Sequence, residues 1–209
     1  MSLIYKTSNV CAKFLSTKVP NDKFPTVQDQ IQVYSYGFQA IIGALVKGFL
    51  LVTISYLLGI LTPAITLTLT FVGLRVIAGG YHMTTYSRCM VVSLVMFLVS
   101  ALIAQYTYQY WTVIELLTLL TFSVLAGIYI AIRYIPRVVP TKPITKSEQI
   151  IKFKRWSLIY LWIWFTVMII LITTHMTVLV LASSFGLLLE LWSISELGYQ
   201  FFFHIENFN

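Results

Sequence analysis

Long uncharged apolar blocks, rather than short amphipathic ones, organise this sequence. Gly48–Leu74, Met90–Ile114, Leu116–Ile132 and Trp156–Leu189 contain no Asp, Glu, Lys or Arg. A helix needs about 20 apolar residues, at about 1.5 Å each, to cross about 30 Å of hydrocarbon. Blocks of this length predict membrane-spanning helices, and the longer blocks must be cut. The first span reads as Gln39–Ile60 and a short second one as Ala64–Ala78, with the break at Gly59–Pro63, because proline suits a first helical turn. The third and fourth spans read as Met90–Tyr106 and Thr112–Ile132, separated by Tyr106, Tyr108, Tyr110 and Trp111, an aromatic belt of the interfacial kind. The last block would be about 50 Å long as one helix. A cut near Thr173–His175 gives a fifth span, Trp156–Thr173, and a sixth, Thr177–Ser195. The fold class is thus an all-α polytopic membrane protein.

Charge tests the six-span count. The loops near residues 60–63, 106–111 and 173–176 carry no Lys or Arg. The other side carries Lys6, Lys13, Lys18 and Lys23, then Arg75 and Arg88, then the basic loop 133–155. The positive-inside rule makes that side the cytoplasm. Both termini and the segment 75–89 are therefore expected on the cytoplasmic face of the membrane. Apart from Arg75, close to the cytoplasmic end of the second span, only Lys47 falls inside a span among the lysines and arginines. A four-span arrangement, with interfacial or re-entrant second and third segments, satisfies the same pattern.

Composition agrees: 58% of the 209 residues are hydrophobic and 10% charged, whereas a soluble domain carries roughly a quarter charged residues. The chain reads as one integral membrane domain, 1–209. It comprises an N-terminal region 1–38, a bundle 39–195 and a tail 196–209. Residues 1–38 hold no continuous apolar run of the signal-peptide kind. Within them, Ser2–Lys18 places Leu3, Val10, Cys11, Phe14 and Leu15 on one helical face, which predicts an amphipathic helix lying on an anionic leaflet. A disordered tail is the alternative.

Against this apolar background stands a polar island from Arg75 to Cys89, containing Gly79, Gly80, Tyr81, His82, Ser87 and Arg88. Ser87 reads as the N-cap of the third span. That puts the Cys89 thiol in a first helical turn, where the helix dipole, Arg88 and Arg75 favour thiolate. His82 is the matching general base, able to take the thiol proton and return it to a leaving amine. Seven residues along a regular helix would separate the two groups by about 10 Å. The pair therefore needs the chain to fold back, which Gly79 and Gly80 permit. Backbone N–H groups of Gly79, Gly80 and Tyr81 are candidate oxyanion donors. Spacing alone leaves open an interfacial histidine and a packing cysteine.

The order Arg75-x4-Gly80-x-His82-x6-Cys89, followed by Tyr134, Pro136, Pro140, Lys142, Pro143 and Ile144, resembles the accessory gene regulator B family of bacterial quorum-sensing peptidases. The resemblance covers most of the chain. It implies a cysteine endopeptidase with Cys89 as nucleophile, His82 as its base, and Arg75 and Gly80 as motif positions required for activity. Gly79 and Arg88 are supporting candidates. The implied substrate is a short amphipathic propeptide with an acidic C-terminal segment, cut through a thioester and cyclised to a thiolactone or lactone. Lys142 and Lys146 in the basic loop are the candidate binders of the acidic segment. Family members often carry a denser lysine run there.

The rival reading is a small multi-pass transporter or channel subunit with an incidental His/Cys pair. Glu190 and Glu115, placed near span ends, are intramembrane carboxylates with a possible functional or pairing role. Trp156, Trp162 and Trp164 give the fifth span an aromatic face suited to a homodimer or to lipid. No cofactor, metal or nucleic-acid partner is expected: there is no second Cys/His pair, and His175 falls on the opposite membrane face.

Overall fold

The computed structural model describes residues 3–19, 26–81, 83, 86–137 and 147–207. The element order is α1 (Leu3–Lys18), α2 (Val27–Leu57), α3 (Leu61–Ala78), α4 (Tyr86–Thr107), a 3-10 turn (Tyr108–Tyr110), α5 (Val113–Tyr134), α6 (Ser147–Thr173), α7 (Thr177–Ile194) and α8 (Glu196–Asn207). Among the described residues, extended pairing is confined to an isolated bridge between Gly79 and Arg137. Six helices, α2 to α7, are long and apolar enough to cross a membrane. The chain is an all-α, multi-pass membrane protein.

The helices differ from the sequence reading mainly at their polar ends. Helix α2 starts at Val27, well before Gln39. Its N-terminus is set by Thr26, whose Oγ1 accepts from the Asp29 N–H at 3.1 Å, in the manner of a helix cap. The turns from Gln28 to Gln32 are too polar to register in an apolar block. Helix α6 likewise begins at Ser147, nine residues ahead of Trp156, and carries Lys152, Lys154 and Arg155 within it. Glu115 is a capping residue of α5: its side chain accepts from the Thr112 N–H at 2.7 Å while Thr112 Oγ1 accepts from the Glu115 N–H. That reciprocal pair satisfies two otherwise orphaned donors and gives this carboxylate a structural task.

The chain divides into two compact units, Met1–Thr53 and Ile54–Asn209. In the first, α1 buries a face of small residues, Ser8, Ala12 and Ser16, and leaves Val10 and Phe14 exposed on the opposite face. Val10 and Phe14 thus point outward, the orientation an interfacial helix requires, whereas Cys11 and Leu15 of the expected apolar face are half-buried. The Gln30 amide donates to Val19 O at 2.7 Å and ties the end of α1 to the start of α2.

In the second unit α7 is the central helix. Of its span 61% is buried, against 33% or less in each of the others, and it packs against α3, α4, α5 and α6. Apolar helices gain little from one another in lipid, so close approach and internal hydrogen bonds must hold them. Both are present. Gly186 lies against the backbone of Leu67, where an added Cβ would overlap the Leu67 carbonyl. Three helices meet at a buried hydroxyl: Ser183 Oγ accepts from the Trp164 indole at 2.8 Å and shares a 2.7 Å hydrogen bond with Thr70 Oγ1. Tyr160 adds a bond from its hydroxyl to Thr70 O at 2.8 Å. Helices α3 and α7 run in the same direction, so their C-terminal ends emerge together.

Gly186→Ala should therefore destabilise the protein by about 1–3 kcal/mol, the usual cost of overpacking a tight site. Gly48→Ala, where an added Cβ meets nothing within 4 Å, should cause no loss. Thermal melts of the two variants in detergent check the contrast.

Candidate functional site

The island lies where α3 and α7 end and α4 and α8 begin. Helix α3 stops at Gly79, whose N–H closes onto Arg75 O at 3.0 Å. Gly79 has φ 77° and Gly80 φ 144°, both positive and both disfavoured for a residue with a Cβ. Space is restricted as well. A Cβ on Gly79 would meet Arg137 O at 2.6 Å, and one on Gly80 would fall on the Arg75 guanidinium. Arg137 is held there by its own N–H, which donates to Ala78 O at 3.0 Å. The two glycines thus turn the chain and admit neighbours that no other residue would.

Arg75 is the organising group. Its Nη1 donates to Ser193 Oγ at 2.9 Å and lies 3.4 Å from Glu190 Oε2. Its Nη2 donates to Tyr81 O. Glu190 has no solvent exposure, and Ser193 Oγ donates to its Oε2 at 3.0 Å. The second carboxylate oxygen, Oε1, has no partner among the described residues. The charge of Arg75 is therefore directed at a buried carboxylate and at the backbone of the island.

Tyr81, the residue before His82, is fixed on all sides. Besides the bond from Arg75, its N–H donates to Ser193 O at 3.4 Å. Its ring meets Tyr199 edge-on, with centroids 5.0 Å apart, and stacks on Phe202 at 5.6 Å. Its hydroxyl donates to Glu206 Oε2 at 2.5 Å. Burial and then the Glu206 carboxylate raise the Tyr81 pKa above the ordinary phenol range, so the hydroxyl is a proton donor at neutral pH.

Helix α4 opens at Tyr86, so Ser87 lies inside the first turn and is not the N-cap expected from the sequence. Cys89 falls in that first turn, half-buried, and its carbonyl accepts from Ser93 Oγ. Arg88, just before it, donates to the backbone carbonyl of Glu206. An open, mostly apolar groove of about 690 Å³ runs between Ser87, Arg88, Val91 and Val92 on α4 and Phe201, His204 and Ile205 on α8. The N–H groups of Gly79 and Tyr81, considered above as oxyanion donors, are already bonded to Arg75 O and Ser193 O.

His82, Lys142 and Lys146 lie outside the described residues. Of the other site residues, Arg75 and Gly80 meet at the Arg75 guanidinium, Gly79 lies against the Arg137 backbone, and Arg88 is joined to Tyr81 through Glu206 of α8, with Cys89 next to Arg88 in α4. Among the described residues, no three His, Cys, Asp or Glu side chains form a group able to hold a metal ion.

A sequence model described as accessory gene regulator B matches residues 8–195. The chain belongs to the accessory gene regulator B family. No curated protein and no solved structure matches it. Membership associates this protein with quorum-sensing peptide processing, in a family known for processing proteases. In this accessory gene regulator B protein the Arg/Gly pair of the motif has a structural meaning: Gly80 is small because Arg75 occupies the place of its side chain.

Three parts of the site were not singled out by sequence reasoning. Nothing in the sequence joins Glu190 to Arg75, from which 115 residues separate it. Ser193 is one of many serines. Residues 196–209, a tail by the sequence reading, contain helix α8, and Ser195 before Glu196 carries its capping signal: its Oγ accepts from Gly198 N–H at 3.1 Å.

Arg75→Ala should leave the Glu190 carboxylate buried and unpaired, at a cost of about 3–5 kcal/mol. Arg75→Met combined with Glu190→Met, which removes both charges and keeps volume, should recover most of that stability. Melting temperatures in detergent test this; a single variant as stable as wild type would refute the pairing energetics.

Proposed function

We propose that this protein is a membrane cysteine endopeptidase that matures a quorum-sensing propeptide by acyl transfer. Cys89 is the nucleophile and His82 the general base. His82 takes the thiol proton, and the Cys89 sulfur attacks a backbone carbonyl carbon of the propeptide. The tetrahedral intermediate collapses as His82 returns the proton to the leaving nitrogen, which releases the C-terminal segment with a free amine. The propeptide remains as a thioester on Cys89. A cysteine or serine within the propeptide then attacks that thioester, Cys89 leaves as the thiol, and a cyclic thiolactone or lactone departs.

The observation that supports this reading best is the fixing of Tyr81 by Arg75. It places the motif arginine and glycine in the service of the residue that immediately precedes His82. Such an arrangement suits a dyad, whose two members must be held within hydrogen-bond reach. The free, half-buried Cys89 thiol near the start of α4 is a second support. The apolar groove beside Ser87 and Arg88 suits the amphipathic propeptide, and Lys142 and Lys146 are assigned to its acidic C-terminal segment. The site and both termini are assigned to the cytoplasmic face of the bacterial cell membrane, from the distribution of Lys and Arg. A homodimer formed through α6 is compatible with this reading.

Co-expression with a cognate propeptide, followed by mass spectrometry, tests the proposal. Wild type should release the C-terminal segment, whereas Cys89→Ala and His82→Ala should leave the propeptide intact while inserting normally in the membrane. Continued cleavage by Cys89→Ala would refute the mechanism and bring the transporter reading forward. Lys142→Gln with Lys146→Gln should slow processing without altering insertion; an unchanged rate would remove the recognition role.

A further inference from the structure

Helix α8 does more than follow the chain's last span, α7. Ser195 terminates α7, with its N–H bonded to Leu191 O and Trp192 O, and opens α8 by capping Gly198. The short helix folds back so that Phe201 and Phe202 pack on Trp192, with ring centroids 4.7 and 5.2 Å away. At its first turn Glu196 pairs with Arg137 at 3.2 Å, and the Arg137 guanidinium also lies over the Tyr199 ring at 4.7 Å. Near its far end stands Glu206, which bonds to two separate parts of the island. Its carboxylate accepts from Tyr81 Oη, and its backbone carbonyl accepts from Arg88 Nη1. Tyr81 immediately precedes His82, and Arg88 immediately precedes Cys89.

We propose that Glu206 is a positioning residue: it holds at once Tyr81 and Arg88, the residues that precede His82 and Cys89 in the chain. The inference rests on the His82/Cys89 reading above and extends it to a helix that lies beyond the family match at 8–195. Glu206 touches neither reacting group and acts through its two neighbours. Its carboxylate contact stands on a phenol hydroxyl kept as a donor, and its carbonyl contact on a guanidinium that is always charged. Charge-assisted hydrogen bonds of these kinds are stronger than neutral ones. A misplacement of about 1 Å in a reacting pair costs up to about a hundredfold in rate, so losing one of two such tethers should be visible.

The probe is iodoacetamide, a small uncharged alkylating agent that reports thiolate formation at Cys89, applied to the full-length protein in liposomes with Cys11→Ser as background. Glu206→Ala should slow alkylation of Cys89 by about tenfold or more, on the scale general-base assistance confers. Glu206→Gln, whose amide oxygen still accepts from Tyr81, should stay within a few-fold of wild type. In a His82→Ala background, Glu206→Ala should have no further effect. Loosening of the fold alone would act in the opposite direction, by exposing the thiol and speeding alkylation. An unchanged or faster rate in Glu206→Ala, equal loss in the Gln variant, or full additivity with His82→Ala would each overturn the proposal. If Glu206→Ala fails to insert, Tyr81→Phe, which removes only the hydroxyl, decides in the same way. Equal alkylation of wild type and His82→Ala would instead sink the dyad itself, and with it the need for a positioning residue.

Discussion

A carboxyl group without access to water, in a helix that crosses a membrane, stays ionised only with a cation beside it inside the protein. Glu190 has Arg75, and much of this molecule follows from that pair. The two residues lie near the C-terminal ends of α3 and α7, so those ends must emerge at one level. A guanidinium has five N–H donors, and the carboxylate does not use them all. Those left over reach Ser193 and the Tyr81 carbonyl. The ion pair that joins two spans thereby also shapes the island, and Gly80 must lack a side chain because the guanidinium passes through its place. Stability and site geometry share one group.

The same economy governs the bundle. Apolar side chains gain nothing by leaving lipid for one another, so specificity comes from close approach and polar contacts. Helix α7 supplies both, with Gly186 against Leu67 and Ser183 joined to Thr70 and Trp164. Its outer neighbours keep exposed apolar faces, such as Leu125 and Tyr129 on α5 and Trp162 and Ile163 on α6, which are suited to lipid. Because α7 is central and also carries Glu190 and Ser193, the floor of the site is the most enclosed element of the fold. The opposite wall, α8, is tied to α7 through Trp192 and to the end of α5 through Arg137.

The spans were legible because a bilayer demands long apolar runs, and the breaks were legible because proline, glycine and aromatic belts mark them. The cut at Thr173–His175 coincides with the observed end of α6, with His175 at φ 58°. The polar starts of α2 and α6 were not legible, since amphipathic turns outside the hydrocarbon carry no hydropathy signal. Arg75 and Gly80 could be picked out by spacing and resemblance, but not why they matter, which depends on Glu190 and Ser193 more than a hundred residues away. Long-range polar pairing leaves no periodic trace in a single sequence. Glu115 shows the converse: its local capping pattern, Thr112-x-x-Glu115, was readable and accounts for it fully.

Under the proposed chemistry, these constraints bear on the outcome as well as the rate. A thiol and an imidazole suffice for hydrolysis, because water can always attack a thioester. Cyclisation instead requires that an internal nucleophile of the peptide reach the thioester first, which is a matter of held geometry and restricted water. A site made of mobile loops would favour water. Here the residue before His82 is bonded to α3, α7 and α8, and the residue before Cys89 to α8. The groove alongside is lined mostly by apolar side chains of α4 and α8. Selectivity for ring closure is then carried less by the dyad than by the buried ion pair and the folded-back helix that keep its surroundings in place.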